Sequence, residues 1–231
     1  MTGAWRAPLR LKAKLSGAEL DAEVQGTAEP WASEPKAAVN LSVRRVNLAP
    51  LLDRSPSDPL AKNISLSSRL TLAGSKLIFE DMDSALGGSR IRGRVALDFG
   101  DEKSVDGEVG MDTLDLAAAF GLAIGAAGHD SSEPLGRGLL QGWRGRLAFQ
   151  ALRGTLPGGA ELRPVSGIVK GDGQSLTFDS LKGTIGGGEA SADIEAKQTL
   201  SGVALNARLQ FSGVDGAALR YRALAMPAGR A

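Results

Sequence analysis

The chain has 231 residues, 42% of them hydrophobic but only 4% aromatic, with 27 Lys and Arg against 26 Asp and Glu. A net charge of +1 excludes a protein built to neutralise phosphates along a nucleic-acid groove. With no cysteine, disulfides, thiolate metal ligands and a Cys nucleophile are excluded too, which fits a bacterial envelope protein as well as a cytosolic one.

The N-terminal stretch Met1 to Pro8 has no apolar core of a signal peptide and runs straight into strand-like sequence, which favours a segment of a longer chain with its targeting sequence upstream. The longest apolar run, Leu114 to Ala127, is about 14 residues and carries Asp115, short of the ~20 a spanning helix needs. The first strand alternates Leu9, Leu11, Ala13 and Leu15 with Arg10, Lys12 and Lys14, the period of two of a half-buried strand. Ser16-Gly17 turns it into Leu20, Ala22 and Val24 alternating with acidic Asp21 and Glu23, so a basic-faced strand is expected beside an acidic-faced one.

After a Pro- and Glu-rich connection carrying Trp31 come Val39, Leu41 and Val43, then a strand end and one helical turn over Val46 to Leu52, with a loop from Asp53 to Pro59. Ile64, Leu66, Leu70 and Leu72 continue the sheet. Ile91, Val95, Leu97 and Phe99 face away from Arg90, Arg92 and Arg94, a hairpin tip follows at Gly100 to Lys103, and Val105, Val109 and Met111 return. Leu116 to Gly125 is Ala-rich enough for a short buried helix. Residues 128–138 read as a linker between a first β section over 1–127 and a second over 139–222, with a frayed tail at 223–231. In the second section Leu147 and Phe149 start a strand, Thr155 to Gly159 turns, and Glu161 to Lys170 is a strand weakened by Pro164. The last strand alternates Val203, Leu205, Ala207, Leu209 and Phe211 with polar residues.

One stretch is repeated. Leu77-Ile78-Phe79-Glu80-Asp81-Met82 corresponds without a gap to Leu176-Thr177-Phe178-Asp179-Ser180-Leu181, 99 positions on, and Leu86-Gly87-Gly88 to Ile185-Gly186-Gly187. Val95 falls on Ile194, and the closing Leu114-Asp115 resembles Val214-Asp215. Each copy reads as strand, Gly-Gly corner and returning strand, and repetition at a fixed period marks an array that grows by adding strands, favouring one continuous sheet over two independent cores.

This pattern, Leu176 to Gly188 with Ser212-Gly213-Val214-Asp215 closing the unit, resembles the C-terminal region of the AsmA family of bacterial envelope proteins, most specifically from Arg144 to Leu219. That family is similar in turn to the TamB-like bridge-type lipid transfer proteins. The resemblance implies a mostly β fold, an elongated, twisted antiparallel repeating sheet with short helical turns, bent into a taco-like groove. It implies residence in the periplasm, inner-membrane anchoring through flanking regions, partners among phospholipids and envelope proteins, and a part in phospholipid transport and outer-membrane assembly. No cofactor and no enzyme activity are implied.

The residues expected to floor such a groove are Leu11, Leu20, Val24, Leu41, Val43, Leu66, Leu72, Phe79, Ile91, Val95, Leu97, Val109, Leu147, Phe149, Phe178, Ile194, Val203, Leu205, Leu209 and Phe211. Periodicity alone favours a closed sandwich or barrel core, and it is the resemblance that turns the reading toward an open groove; the rival function is a structural or protein-interaction module whose apolar face is sealed. An open face would exceed the few hundred Å² a soluble monomer usually exposes and needs a cover.

The remaining features read as structure. Gly186-Gly187-Gly188 has no following Lys-Ser/Thr and reads as a sheet corner rather than a phosphate loop. His129 has no companion ligand, and Asp101-Glu102 and Asp112 with Asp115 sit where turns need carboxylates. No nucleophile elbow or acid-base set is visible. The row Arg90, Arg92 and Arg94 is either a solvated outer face or a rim for anionic head groups.

Overall fold

In the computed structural model, residues 7–17, 20–46, 64–86, 88–124, 142–156, 159–199 and 202–216 are described. The expected helical turn after Val46, the 128–138 linker with His129, and the tail lie outside them. The first half is a meander of β1 (Leu9–Ser16), β2 (Leu20–Glu29), β3 (Lys36–Val46), β4 (Ile64–Ala73), β5 (Lys76–Leu86), β6 (Ser89–Asp98) and β7 (Ser104–Asp115). The helix α1 (Leu116–Ile124) follows. The second half holds β8 (Arg144–Thr155), β9 (Glu161–Leu162), β10 (Val165–Asp172), β11 (Ser175–Ile185), β12 (Gly188–Thr199) and β13 (Gly202–Ser212). The 13 strands of the described residues belong to one sheet, ordered β1 to β8 and then β10 to β13, with β9 beside β8. The sheet is open, its path running from β1 to β13 without closing into a barrel.

The strands form where apolar and polar residues alternate, and they turn where the backbone requires it. At the expected corner between β11 and β12, Gly186 and Gly187 take φ of 55° and 78°, left-handed angles that glycine adopts without steric cost. At the β6–β7 tip, Asp98 accepts hydrogen bonds from the Gly100 N–H (2.9 Å) and the Ser75 hydroxyl (2.7 Å). Both hold its carboxyl below the usual range, the Ser75 bond most strongly. Asp115 ends β7 and caps α1, its Oδ1 accepting from the Ala118 N–H at 2.9 Å.

The sheet is mostly antiparallel, as expected, with one exception: β7 and β8 pair in parallel from Ser104↔Arg144 to Asp115↔Thr155, because the chain crosses back through α1 instead of turning in a hairpin. The return is fastened by the Arg144 N–H donating to the Lys103 carbonyl (2.9 Å) and by an edge-to-face Phe99–Trp143 contact at 5.6 Å. Two other expectations are corrected. The strand expected from Glu161 to Lys170 is two elements, since Pro164 has no N–H to give a ladder; β9 pairs with β8, and the Arg163 N–H donates to Thr184 instead. The basic and acidic rows of β1 and β2 meet less than expected: Lys14 lies opposite Glu23, but Lys12 lies opposite Gln25 and Arg10 opposite Thr27.

The repeat extends further in space than in sequence. The pairings of β4–β5 and β10–β11 both slip by a bulge, at Asp81 (φ 50°) and Ser180 (φ 53°), which are corresponding residues of the two copies. Opposite the first bulge the buried Ser68 hydroxyl donates to the Glu80 carbonyl at 2.8 Å. Opposite the second lies Gly167, where a Cβ would stand 2.8 Å from Cζ of Phe149. The same notch is filled by a hydroxyl in one copy and by an aromatic ring in the other.

Candidate functional site: one apolar face across the sheet

Residues paired across a ladder point to the same side of a sheet, so the register follows a face from strand to strand. Starting at Leu11, which lies opposite Gly26 on β2, the face carrying Val24 passes to Leu41, Ser68 and its neighbours Leu66 and Leu70, then to Phe79, Val95 and Gly107. It continues from Val109 to Phe149, from Leu147 to Val169 and Phe178, then to Ile194, and from Ala192 and Ala190 to Leu209 and Phe211. The two bulges matter here. Met82 and Leu181 follow Phe79 and Phe178 by three residues, which in a regular strand would turn them to the opposite side; the bulges at Asp81 and Ser180 take up the extra residue and keep them on the same one. Every groove candidate named from the sequence lies on this one face, including Leu20, Val43, Leu72, Ile91, Leu97, Val203 and Leu205.

The face is not uniform. Along β2 to β7 the candidates are mainly half-buried, as Val24, Leu41, Leu66, Phe79, Val95 and Val109 are, and the buried clusters draw no residue from β1 to β6. Under β8 to β12 it is covered: Ala123 and Phe120 of α1 pack on Phe149, Val169, Leu176 and Phe178. The Phe120 and Phe178 rings lie 5.1 Å apart with their planes tilted by 54°. A second cluster gathers Ala151, Val165 and Ile185 beneath Leu162 of β9, with Leu114 and Val214, the matching unit ends, both packed against it. At the margins the face is bare. Leu15 is 58% exposed, and Leu205, Leu209 and Phe211 on β13 are 51–62% exposed. Among the described residues, the apolar floor is therefore left uncovered over one half and covered by α1 and β9 over the other.

The opposite face is polar. Arg90 and Arg92 both reach Asp83, Arg90 Nε donating to Oδ1 at 2.8 Å and Arg92 Nε standing 3.5 Å from Oδ2, so the arginine row lies on the polar face, away from the apolar floor. The Arg90 hydrogen bond leads the effects that lower the Asp83 pKa, and it raises that of Arg90 in turn. Sequence reasoning did not foresee that this polar face is recessed. One depression of about 710 Å³ is bordered by Arg92, Glu108, Arg146, Gln150, Ser166 and Lys182, and one of about 820 Å³ by Lys182, Glu189, Ser191 and Gln210. Among the described residues, no group of three or more His, Asp or Glu could hold a metal ion, and no helix is long and apolar enough to cross a membrane.

Comparison with known protein families, with curated proteins and with solved structures finds no match.

Proposed function

We propose that this chain is a non-enzymatic, AsmA-like segment of a bacterial envelope protein that holds phospholipid acyl chains on its apolar sheet face and so contributes to phospholipid transport. The observation that carries the reading is the continuity of that face: alternation, register and compensating bulges in β3, β5 and β11 keep Leu, Val, Ile and Phe side chains on one side from β1 to β13. The resemblance of Leu176 to Gly188 to the AsmA pattern supplies the substrate class. Each CH₂ withdrawn from water onto such a floor gains ~0.8 kcal/mol, so a tail is held against escape into solvent. Transfer from a bilayer to the floor is close to neutral, because both are hydrocarbon. The mechanism is a passive slide: tails rest on the half-buried aliphatic floor of β2 to β7, head groups stay in water, and direction comes from other components.

The cover that α1 and β9 place over β8 to β12 favours a second reading for that half, a sealed structural module that anchors the open half. The test is native mass spectrometry with lipid extraction on protein purified from bacteria, beside a variant carrying Leu41→Glu and Leu72→Glu. Co-purified phospholipid in the parent, lost from a variant that keeps its β circular dichroism, is the expected result. A folded parent free of lipid overturns the proposal.

A further inference from the structure

Of the exposed large apolar residues, Leu205, Leu209 and Phe211 lie together on one strand, β13, at one margin of the sheet. Among the described residues nothing pairs with the outer edge of β13, an eleven-residue strand whose Leu205, Leu209 and Phe211 are each more than half exposed. An edge of this length with an apolar row is a template for another strand. Which strand fits is decided by register and charge.

We propose that β13 pairs antiparallel with β13 of a second copy of this chain, about a two-fold axis at Ala207. Ala207 is the midpoint of Gly202–Ser212, so this register uses the full strand. It sets Leu205 opposite Leu209 of the second copy and Val203 opposite Phe211, apolar against apolar on the floor side. On the polar side Arg208 meets Asn206, and Ala204 meets Gln210. No like charges oppose one another. Arg208 lies beside Asp193 of its own β12, and Asn206 beside Glu195, so across the seam Arg208 stands between Asp193 of its own copy and, past the neutral Asn206, Glu195 of the other. Moving the axis one residue on, to Arg208, would bring two arginines face to face.

The other edge does not fit itself. In β1, an axis at Lys12 opposes Lys12 to its own copy and Arg10 to Lys14, and an axis at Ala13 opposes Lys12 to Lys14. Like charges directly opposite are destabilising, so β1 is protected from self-pairing where β13 is not. Joining β13 to β1 of the next copy would instead be head-to-tail and would not close. The two-fold arrangement closes at two copies. Because its axis stands normal to the sheet, both apolar faces lie on the same side and form one floor of doubled width.

The absence of native cysteine makes the test clean. Paired Cα atoms in an antiparallel ladder stand ~4.5–5.5 Å apart, within the span a disulfide bridges, so Ala207→Cys on the axis should link to its counterpart under oxidised glutathione. Ala204→Cys and Ala13→Cys should not. By light scattering the parent should have twice the 23.8 kDa chain mass. Asn206→Arg, an exposed change off the apolar floor, opposes Arg208 twice by symmetry and should weaken the dimer about tenfold. It should leave folding, and lipid bound per chain, unaltered. A monomeric parent at the highest soluble concentration, a larger open series of species, or cross-linking through residue 13 as readily as through 207 overturns the proposal. A lipid-free dimer would overturn the lipid reading and leave this one standing.

Discussion

The docking of α1 is the feature that divides the floor into an open and a sealed half, and it makes a quantitative prediction through Phe120 and Phe178. Truncating a fully buried Phe costs about 3–5 kcal/mol, and both rings are only half-buried, so each of Phe120→Ala and Phe178→Ala should destabilise by about 2 kcal/mol. The rings are 5.1 Å apart and tilted, a geometry worth about 0.5–1.5 kcal/mol beyond area. The double variant should therefore be less destabilised than the sum of the singles by about 1 kcal/mol. Urea unfolding followed by circular dichroism on the parent, both singles and the double gives the coupling directly. Ala117→Ser, on the exposed side of α1, is the control and should change stability by less than about 0.5 kcal/mol. If Phe120→Ala behaves like that control and the coupling is zero, the helix does not seal the second half, and the division of the floor drawn from it is wrong.

Two further outcomes follow from local geometry. At Gly145, with φ of 117°, a Cβ would lie 1.9 Å from the Val105 carbonyl oxygen across the parallel pair, so Gly145→Ala should cost more than about 3 kcal/mol. At Gly187 (φ 78°) nothing lies within 4 Å, so Gly187→Ala should cost only the left-handed strain of about 1 kcal/mol; equal losses in thermal or urea unfolding would refute the close approach at the β7–β8 seam. Asp172 accepts hydrogen bonds from the Gln174 and Ser175 N–H groups and the Ser175 hydroxyl, which hold its pKa down to about 2 from 3.8. A depressed carboxyl stabilises the fold above its unfolded pKa and loses that contribution as pH falls through the folded one. The stability gap between the parent and Asp172→Ala should thus be full at pH 5 and shrink between 3.8 and about 2; a gap independent of pH across that window would show that the turn does not hold the charge.

Most of the strands were legible because their residues alternate, and α1 because Leu116 to Ile124 is apolar and Ala-rich. The side that α1 would cover was not legible, since a helix apolar all round gives no direction. The bulges left a signal that strict alternation passes over: Leu77, Phe79 and Met82, like Leu176, Phe178 and Leu181, are spaced two and then three, and a step of three on one face of a strand requires an extra residue. The parallel seam had no signature in the strands themselves. β7 and β8 alternate like their neighbours, and only the length of the stretch between them distinguishes a crossover from a hairpin. The polar depressions were missed because Arg92, Arg146 and Lys182 come from three strands and meet through curvature, which alternation does not encode.

The parallel seam also governs how such a sheet can lengthen. In sheet order β5 and its copy β11 stand five places apart. Five antiparallel steps would have reversed the second copy, putting its bulge and Gly corner in mirror relation to its neighbours. A single parallel step restores the phase, so both copies run the same way and present the same residues to the same side. A block with an odd number of strands can thus be duplicated whole, provided each junction is a crossover. A tight turn in place of α1 and its connection would break the symmetry that keeps one floor continuous.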